Sequence, residues 1–141
     1  MRAVYLSRRT YTFAGYLAEQ GFECPPLAED AIAHFHCNQR AVLGVGADQR
    51  LLDQLFGACR VPEPGCCGMA GPFGFAADTC ELSRAIAAQA LTPAFRAASP
   101  DTVLIADGFS CSEQIRQETA RKPFHIAEVV ARAVGASERR T

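Results

Sequence analysis

The run Thr102-Val103-Leu104-Ile105-Ala106 constrains this chain most, because it is apolar on both faces and bracketed by Ser99-Pro100 and Asp107-Gly108. A strand with no polar face has to be covered above and below, as in a parallel sheet sandwiched by helices and unlike an antiparallel sheet with one wet side. The run is therefore expected to be a central parallel strand. From Ala31 onward the chain fits the same architecture, since short apolar runs alternate with stretches of helical period. Ile32 to His36 reads as a strand, and Arg40 to Phe56 as a helix with Val42, Val45, Leu52 and Leu55 on its apolar side. Gly44 and Gly46 weaken the start of that helix by about 1 kcal/mol each relative to alanine. Cys59 to Val61 reads as a second strand, ended by Pro62 and Pro64.

Helix signals fill the remaining gaps. Asp78 with Glu81 makes a capping box that opens a helix, whose buried stripe is expected at Leu82, Ile86 and Ala90. Thr92-Pro93 kinks or restarts it, with Pro93 in a first turn. Ser110 with Glu113 makes a second box, placing a helix from Cys111 to Thr119. A last helix, His125 to Val134, is closed by Gly135 as C-cap. The expected fold is α/β, a small parallel sheet flanked by helices.

With 141 residues there is room for one core. Cys24-Pro25-Pro26 separates an N-terminal arm, residues 1–30, in which Phe13 and Leu17 mark a short amphipathic helix. The domain proper is expected over 31–136, followed by a polar tail over 137–141. Fourteen basic against fifteen acidic residues leave a net charge of -1, so no overall field favours nucleic acid or an anionic bilayer. No stretch approaches the roughly 18 apolar residues of a membrane span, and the first twenty residues lack the apolar run of a secretory signal. A cytosolic protein is expected, or one held at the inner face of a membrane through partners.

Seven cysteines without an export signal point away from a disulfide framework and towards metal binding or thiol chemistry. Cys37 follows the Ile32 to His36 strand and Cys111 follows the Thr102 to Ala106 strand, each at the start of a helix, where a thiolate is favoured. Cys66 and Cys67 follow the second strand, so four thiols are expected at the edge where open α/β sheets place ligands. The pair lies in Gly65-Cys66-Cys67-Gly68-Met69-Ala70-Gly71-Pro72-Phe73-Gly74, where Gly65, Gly68 and Gly71 let backbone N–H groups approach a bulky ligand. Met69, Phe73 and Phe75 are expected to exclude water. Four cysteines suit an all-thiolate [4Fe-4S] cluster, and they also suit tetrahedral zinc. Adjacent cysteines between glycines favour the extended cluster, with zinc and a set of buried free thiols or a redox dithiol as alternatives.

Three blocks, His34-Phe35-His36-Cys37-Asn38-Gln39-Arg40, Gly65 to Phe75, and Ala106-Asp107-Gly108-Phe109-Ser110-Cys111-Ser112-Glu113-Gln114-Ile115, together with Lys122-Pro123-Phe124-His125, resemble the cysteine-rich CCG domain. That domain, a Rossmann-like three-layer unit, occurs in the cysteine-rich component of heterodisulfide reductase and in iron-sulfur subunits of glycolate, lactate and glycerol-3-phosphate dehydrogenases. The resemblance is strongest to the C-terminal iron-sulfur region of FAD-linked D-lactate and D-2-hydroxyglutarate dehydrogenases. It implies that Cys37, Cys66, Cys67 and Cys111 ligate a cluster that relays electrons from reduced FAD, carried on a partner flavoprotein domain or subunit, to an acceptor. A ferredoxin-like domain or subunit is a second implied partner. Neither domain is present here, so a fragment, a detached subunit or a remnant acting only in assembly is expected. Gln114 stands where the family's Cys-x-x-Cys ends, which argues against a five-thiolate cluster. Asn38 and Phe35 also depart from the dehydrogenase pattern.

Cys24, Cys59 and Cys80 have no matching partners and read as packing or surface thiols. Of the two histidines near Cys37, His36 is favoured over His34 as a neighbour of the metal, and His125 is a candidate for the same role. Arg40 and Arg116 read as solvated helix residues. Gly44-Val45-Gly46 is too short for a dinucleotide fingerprint, and no Ser/His/Asp set or paired carboxylate stands out. The chain is thus expected to carry electrons and to catalyse nothing alone.

Overall fold

The computed structural model describes residues 2–63 and 65–139. Its elements run α1 (Arg2–Ser7), α2 (Phe13–Glu19), β1 (Ala31–His34), α3 (Cys37–Val42), α4 (Gly46–Phe56), β2 (Cys59–Arg60), a 3-10 turn (Gly71–Gly74), α5 (Cys80–Ala87), α6 (Leu91–Arg96), β3 (Val103–Ala106), α7 (Phe109–Thr119) and α8 (Ile126–Glu138). The strands form one parallel sheet in the order β2-β1-β3. The architecture is α/β, as expected.

The central strand is β1, and the apolar run at Val103–Ala106 is an outer strand, which corrects the sequence reading. What makes an outer strand apolar on both faces possible is the chain at Phe124. Its N–H donates to the Leu104 carbonyl at 2.8 Å, and its carbonyl accepts from Ala106 N–H at 3.0 Å. The edge that would otherwise need water is closed by backbone.

Alternation along the strands divides the core in two. Ala31, Ala33, Phe35, Val103 and Ile105 pack with Leu51, Leu52 and Leu55 of α4 and with Ile126, Val129, Val130 and Ala133 of α8. Ile32, Leu104 and Ala106 pack with Met69, Leu91, Phe95 and Ile115, and with two cysteines, Cys67 and Cys111. Ala14 and Cys24 join the first cluster, and α2 docks on α4.

Several element boundaries differ from the sequence reading. The helix expected from Arg40 to Phe56 is two helices. Gly44, at φ +75°, ends the first, where the N–H groups of Leu43 and Gly44 both donate to the Gln39 carbonyl. Val42 is accordingly exposed, while Leu52 and Leu55 are buried. Strand β1 ends at His34, so His36 lies beyond it as the N-cap of α3. The Asp78 capping box does not form: Thr79 is the N-cap, and its hydroxyl donates to the Phe73 carbonyl. The stripe of α5 buries Ser83 and Ala87, while Leu82 is exposed.

Close loop packing explains that shift, since a Cβ on Gly68 would stand 2.0 Å from the Ser83 carbonyl oxygen and one on Gly74 3.1 Å from Ser83 Oγ. A leucine has no room there. The restart at Thr92-Pro93 is found, with Pro93 in the first turn of α6. Helix α7 begins at Phe109 after Gly108, so Ser110 is inside it and Glu113 pairs with Arg116 at 2.7 Å. Helix α8 continues through Gly135 to Glu138, taking up the start of the expected tail. Met1, Pro64, Arg140 and Thr141 lie outside the described residues. Among the described residues no helix is long and apolar enough to cross a membrane.

Candidate metal centre

In a parallel sheet all strands end at one edge, and the chain turns there after each of them. Cys37 opens α3 after β1, Cys111 lies in the first turn of α7 after β3, and Cys66 and Cys67 lie in the loop after β2. The structure brings these sulfurs together. Cys67 and Cys111 share one buried layer, Cys67 Sγ lies 3.7 Å from the Met69 carbonyl oxygen, and Cys37, Cys66 and Cys67 are near enough to act electrostatically on Cys111. Cys67 and Cys111 are buried and Cys37 and Cys66 are exposed, so the set runs from the core to the surface. A recess of about 310 Å³ lined by Cys37, Arg40, Ala41 and Gly65 opens beside the outer thiols.

Charge is distributed unevenly over the set. The hydrogen bond from Cys111, aided by His36, brings the Cys67 thiol down to about 6 against the opposing effect of burial. The same bond, with burial, pushes Cys111 far up, because it holds the proton that Cys67 gives away. At Cys66 the Gly68 N–H, donating to Sγ at 3.3 Å, pulls downward, but burial and the neighbouring sulfurs of Cys67 and Cys37 prevail and the net shift is up. The pocket therefore carries thiolate character at Cys67 first.

The residues around the sulfurs leave little slack. A Cβ on Gly108 would stand 2.8 Å from the His36 ring and 3.2 Å from Cys111 Sγ, so any other residue in the turn between β3 and α7 must displace the His36 ring. His36 Nδ1 accepts from Asn38 N–H at 3.3 Å, which fixes the ring beside the site. Gly65 is pressed against Ala90 and Gly68 against Ser83 and Ile86, while Gly71 faces open space. His125 caps α8, accepting from Ala127 N–H at 3.1 Å, and stands 4.0 Å from Asp107. Met69 is buried and Phe73 half-buried, but Phe75 is 55% exposed and does not exclude water as expected. Cys24 packs in the opposite core cluster, and burial with the nearby Asp53 pushes Cys59 up to about 12. Among the described residues no set of three or more His, Cys, Asp or Glu side chains is arranged to hold a single metal ion.

Sequence reasoning gave no site role to two polar residues that the structure buries on this side of the sheet. His34, 7% exposed, shares a strand face with Ile32 and so points to the layer of Cys67 and Cys111; burial first, then Arg40 and His36, hold it down to about 4. Gln114, 1% exposed, lies one turn beyond Cys111 on the inner face of α7. The available signal was a polar residue at an inward position of an otherwise apolar pattern.

Comparison with curated proteins gives a match to D-2-hydroxyglutarate dehydrogenase of Pseudomonas putida, 36% identical over 99 residues. This chain is similar to a segment of that dehydrogenase. The match covers 67% of the chain and 9% of the dehydrogenase, so the chain spans a small part of its relative's length. No family model and no solved structure matches.

Proposed function

We propose that this chain is the iron-sulfur electron-transfer part of a flavin-dependent 2-hydroxyacid dehydrogenase, with Cys37, Cys66, Cys67 and Cys111 as the ligands of a [4Fe-4S] cluster. The observation that supports the reading is the placement of four thiols in three loops at one edge of the sheet, two of them buried in an otherwise apolar layer. Four sulfur donors match the demand of an all-thiolate cluster, and the orphaned buried polar atoms on this side of the sheet suit a group richer in acceptors than hydrocarbon. When bound, the cluster supplies one-electron redox chemistry. The residues do the rest. Cys67 enters as thiolate near neutral pH, and Cys111 gives up its proton on ligation. Met69, Ile115 and Phe95 keep water from the inner pair, while His36 and Gly108 fix the Cys111 turn.

The exposure of the outer pair supports approach of a partner from that side. Val42 and Leu43 at the end of the helix opened by Cys37, and Phe109 two residues before Cys111, are 70%, 69% and 78% exposed. They give a flavoprotein domain or subunit carrying FAD an apolar surface beside the thiol edge, with a ferredoxin-like domain or subunit as the second partner. Gly65, Gly68, Gly71 and His125 support the loops rather than carry electrons, and the protein works in the cytoplasm. Residues 31–136 form the cluster-bearing unit, with the preceding arm docked on α4 and the polar tail beyond it.

Anaerobic purification followed by iron, sulfide and zinc analysis tests the reading. Iron and acid-labile sulfide in equal amounts are expected. Stoichiometric zinc without sulfide would replace the proposal with a zinc-stabilised interaction domain.

A further inference from the structure

Among the described residues, the buried side-chain atoms without a hydrogen-bond partner are His34 Nε2, Ser83 Oγ, Thr92 Oγ1 and Gln114 Nε2. All belong to the thiol side of the sheet. His34 shares the strand face of Ile32, Ser83 lies under the loop that bears Cys67, Thr92 is in the helix of Leu91 and Phe95, and Gln114 shares a helix face with Cys111 and Ile115. Buried polar groups are normally paired, so an orphan in the layer of the thiols calls for a partner there.

Gln114 is the best placed of them. Residues three apart on a helix are neighbours, with Cβ atoms about 5–6 Å apart. Helical side chains also lean towards the helix N-terminus, so a residue covers the turn before its own. The Gln114 side chain therefore covers the turn that carries Cys111. Its amide nitrogen is buried, donates to nothing, and can only donate, whereas thiolate and inorganic sulfide can only accept.

We propose that the Gln114 carboxamide donates an N–H hydrogen bond to a sulfur of the metal centre held by Cys37, Cys66, Cys67 and Cys111, and so raises its reduction potential. This rests on the proposed function. An N–H group directed at sulfur stabilises the more negative, reduced state and favours electron uptake. Gln114 tunes the centre and is not one of its ligands.

The test compares reconstituted wild type with Gln114→Leu and with Gln114→Met, which keeps the length of the side chain without its donor. Iron and sulfide content, the midpoint potential from an EPR-monitored titration, and the shift of the iron-sulfur Raman bands between H2O and D2O are measured on each. The expected result is unchanged iron and sulfide, a more negative midpoint and a smaller D2O shift in both variants. A wild-type midpoint and D2O shift in either loaded variant would overturn the proposal, as would failure of both variants to hold iron, which would make Gln114 a structural requirement. Wild type without iron and sulfide brings down the proposed function itself, and this inference with it, before any variant is compared.

Discussion

On the side of the sheet covered by α4 and α8, Leu52, Leu55, Ile126 and Val129 are buried to within 1% of complete exclusion, and among the described residues none of the unpartnered buried polar atoms lies there. On the side covered by α5, α6 and α7, a comparably buried layer holds two thiols and four polar atoms with no partner. The same strands serve both sides, since Ile32 faces one and Ala33 the other. One layer is packed as a scaffold, and the other leaves polar atoms unsatisfied, as the proposed function requires of a layer that holds a ligand. Stability should therefore respond with opposite signs to trimming the two sides.

Leu52→Ala strikes the scaffold side and should cost about 2–5 kcal/mol in urea unfolding, enough to leave a domain of this size largely unfolded on mild warming. The loss should be the same with and without metal. A loss much below 1 kcal/mol would mean that the scaffold layer relaxes as easily as the thiol layer.

His34 gives the next effect. Its pKa of about 4 lies below the ordinary 6.5, so the unfolded chain takes up a proton that the folded chain refuses. The associated stability is complete above pH 6.5 and is lost as pH falls towards 4, by about 3 kcal/mol in all. His34→Gln should flatten that part of the pH dependence, as followed by denaturant midpoints between pH 4 and 7. An unchanged slope would remove His34 from the buried layer.

Ser83→Ala gives the smallest effect and the opposite sign. Removing a buried hydroxyl that has no partner should raise the stability of the metal-free protein by about 1 kcal/mol. The same change should bring no gain once the centre is loaded, if the hydroxyl is then satisfied. Calorimetry on both forms would show it.

Features set by local chemistry were legible in the sequence. The run Val103–Ala106, the restart at Pro93 and the parallel arrangement follow from residue type and spacing, and the parallel arrangement alone places Cys37, Cys67 and Cys111 at one edge. Features set by neighbours distant in sequence were not. Nothing near Val103 announces that Phe124 will close its edge, so an outer strand reads as a central one. Leu82 fits the helical stripe better than Ser83 until the glycine loop takes the space. Thr79 displaces Asp78 as cap while its hydroxyl serves the Phe73 carbonyl, a partner that belongs to the tertiary fold. His34 and Gln114 were visible only as polar residues at inward positions, and their lack of partners is a property of the packed layer.

Parallel anaerobic reconstitution of seven single Cys→Ser variants, read by visible thiolate-to-iron absorbance, tests the shared centre most directly. The absorbance should be lost or severely reduced in the variants at Cys37, Cys66, Cys67 and Cys111, and retained at Cys24, Cys59 and Cys80. Bleaching at Cys80 with retention at Cys37 or Cys111 would contradict it.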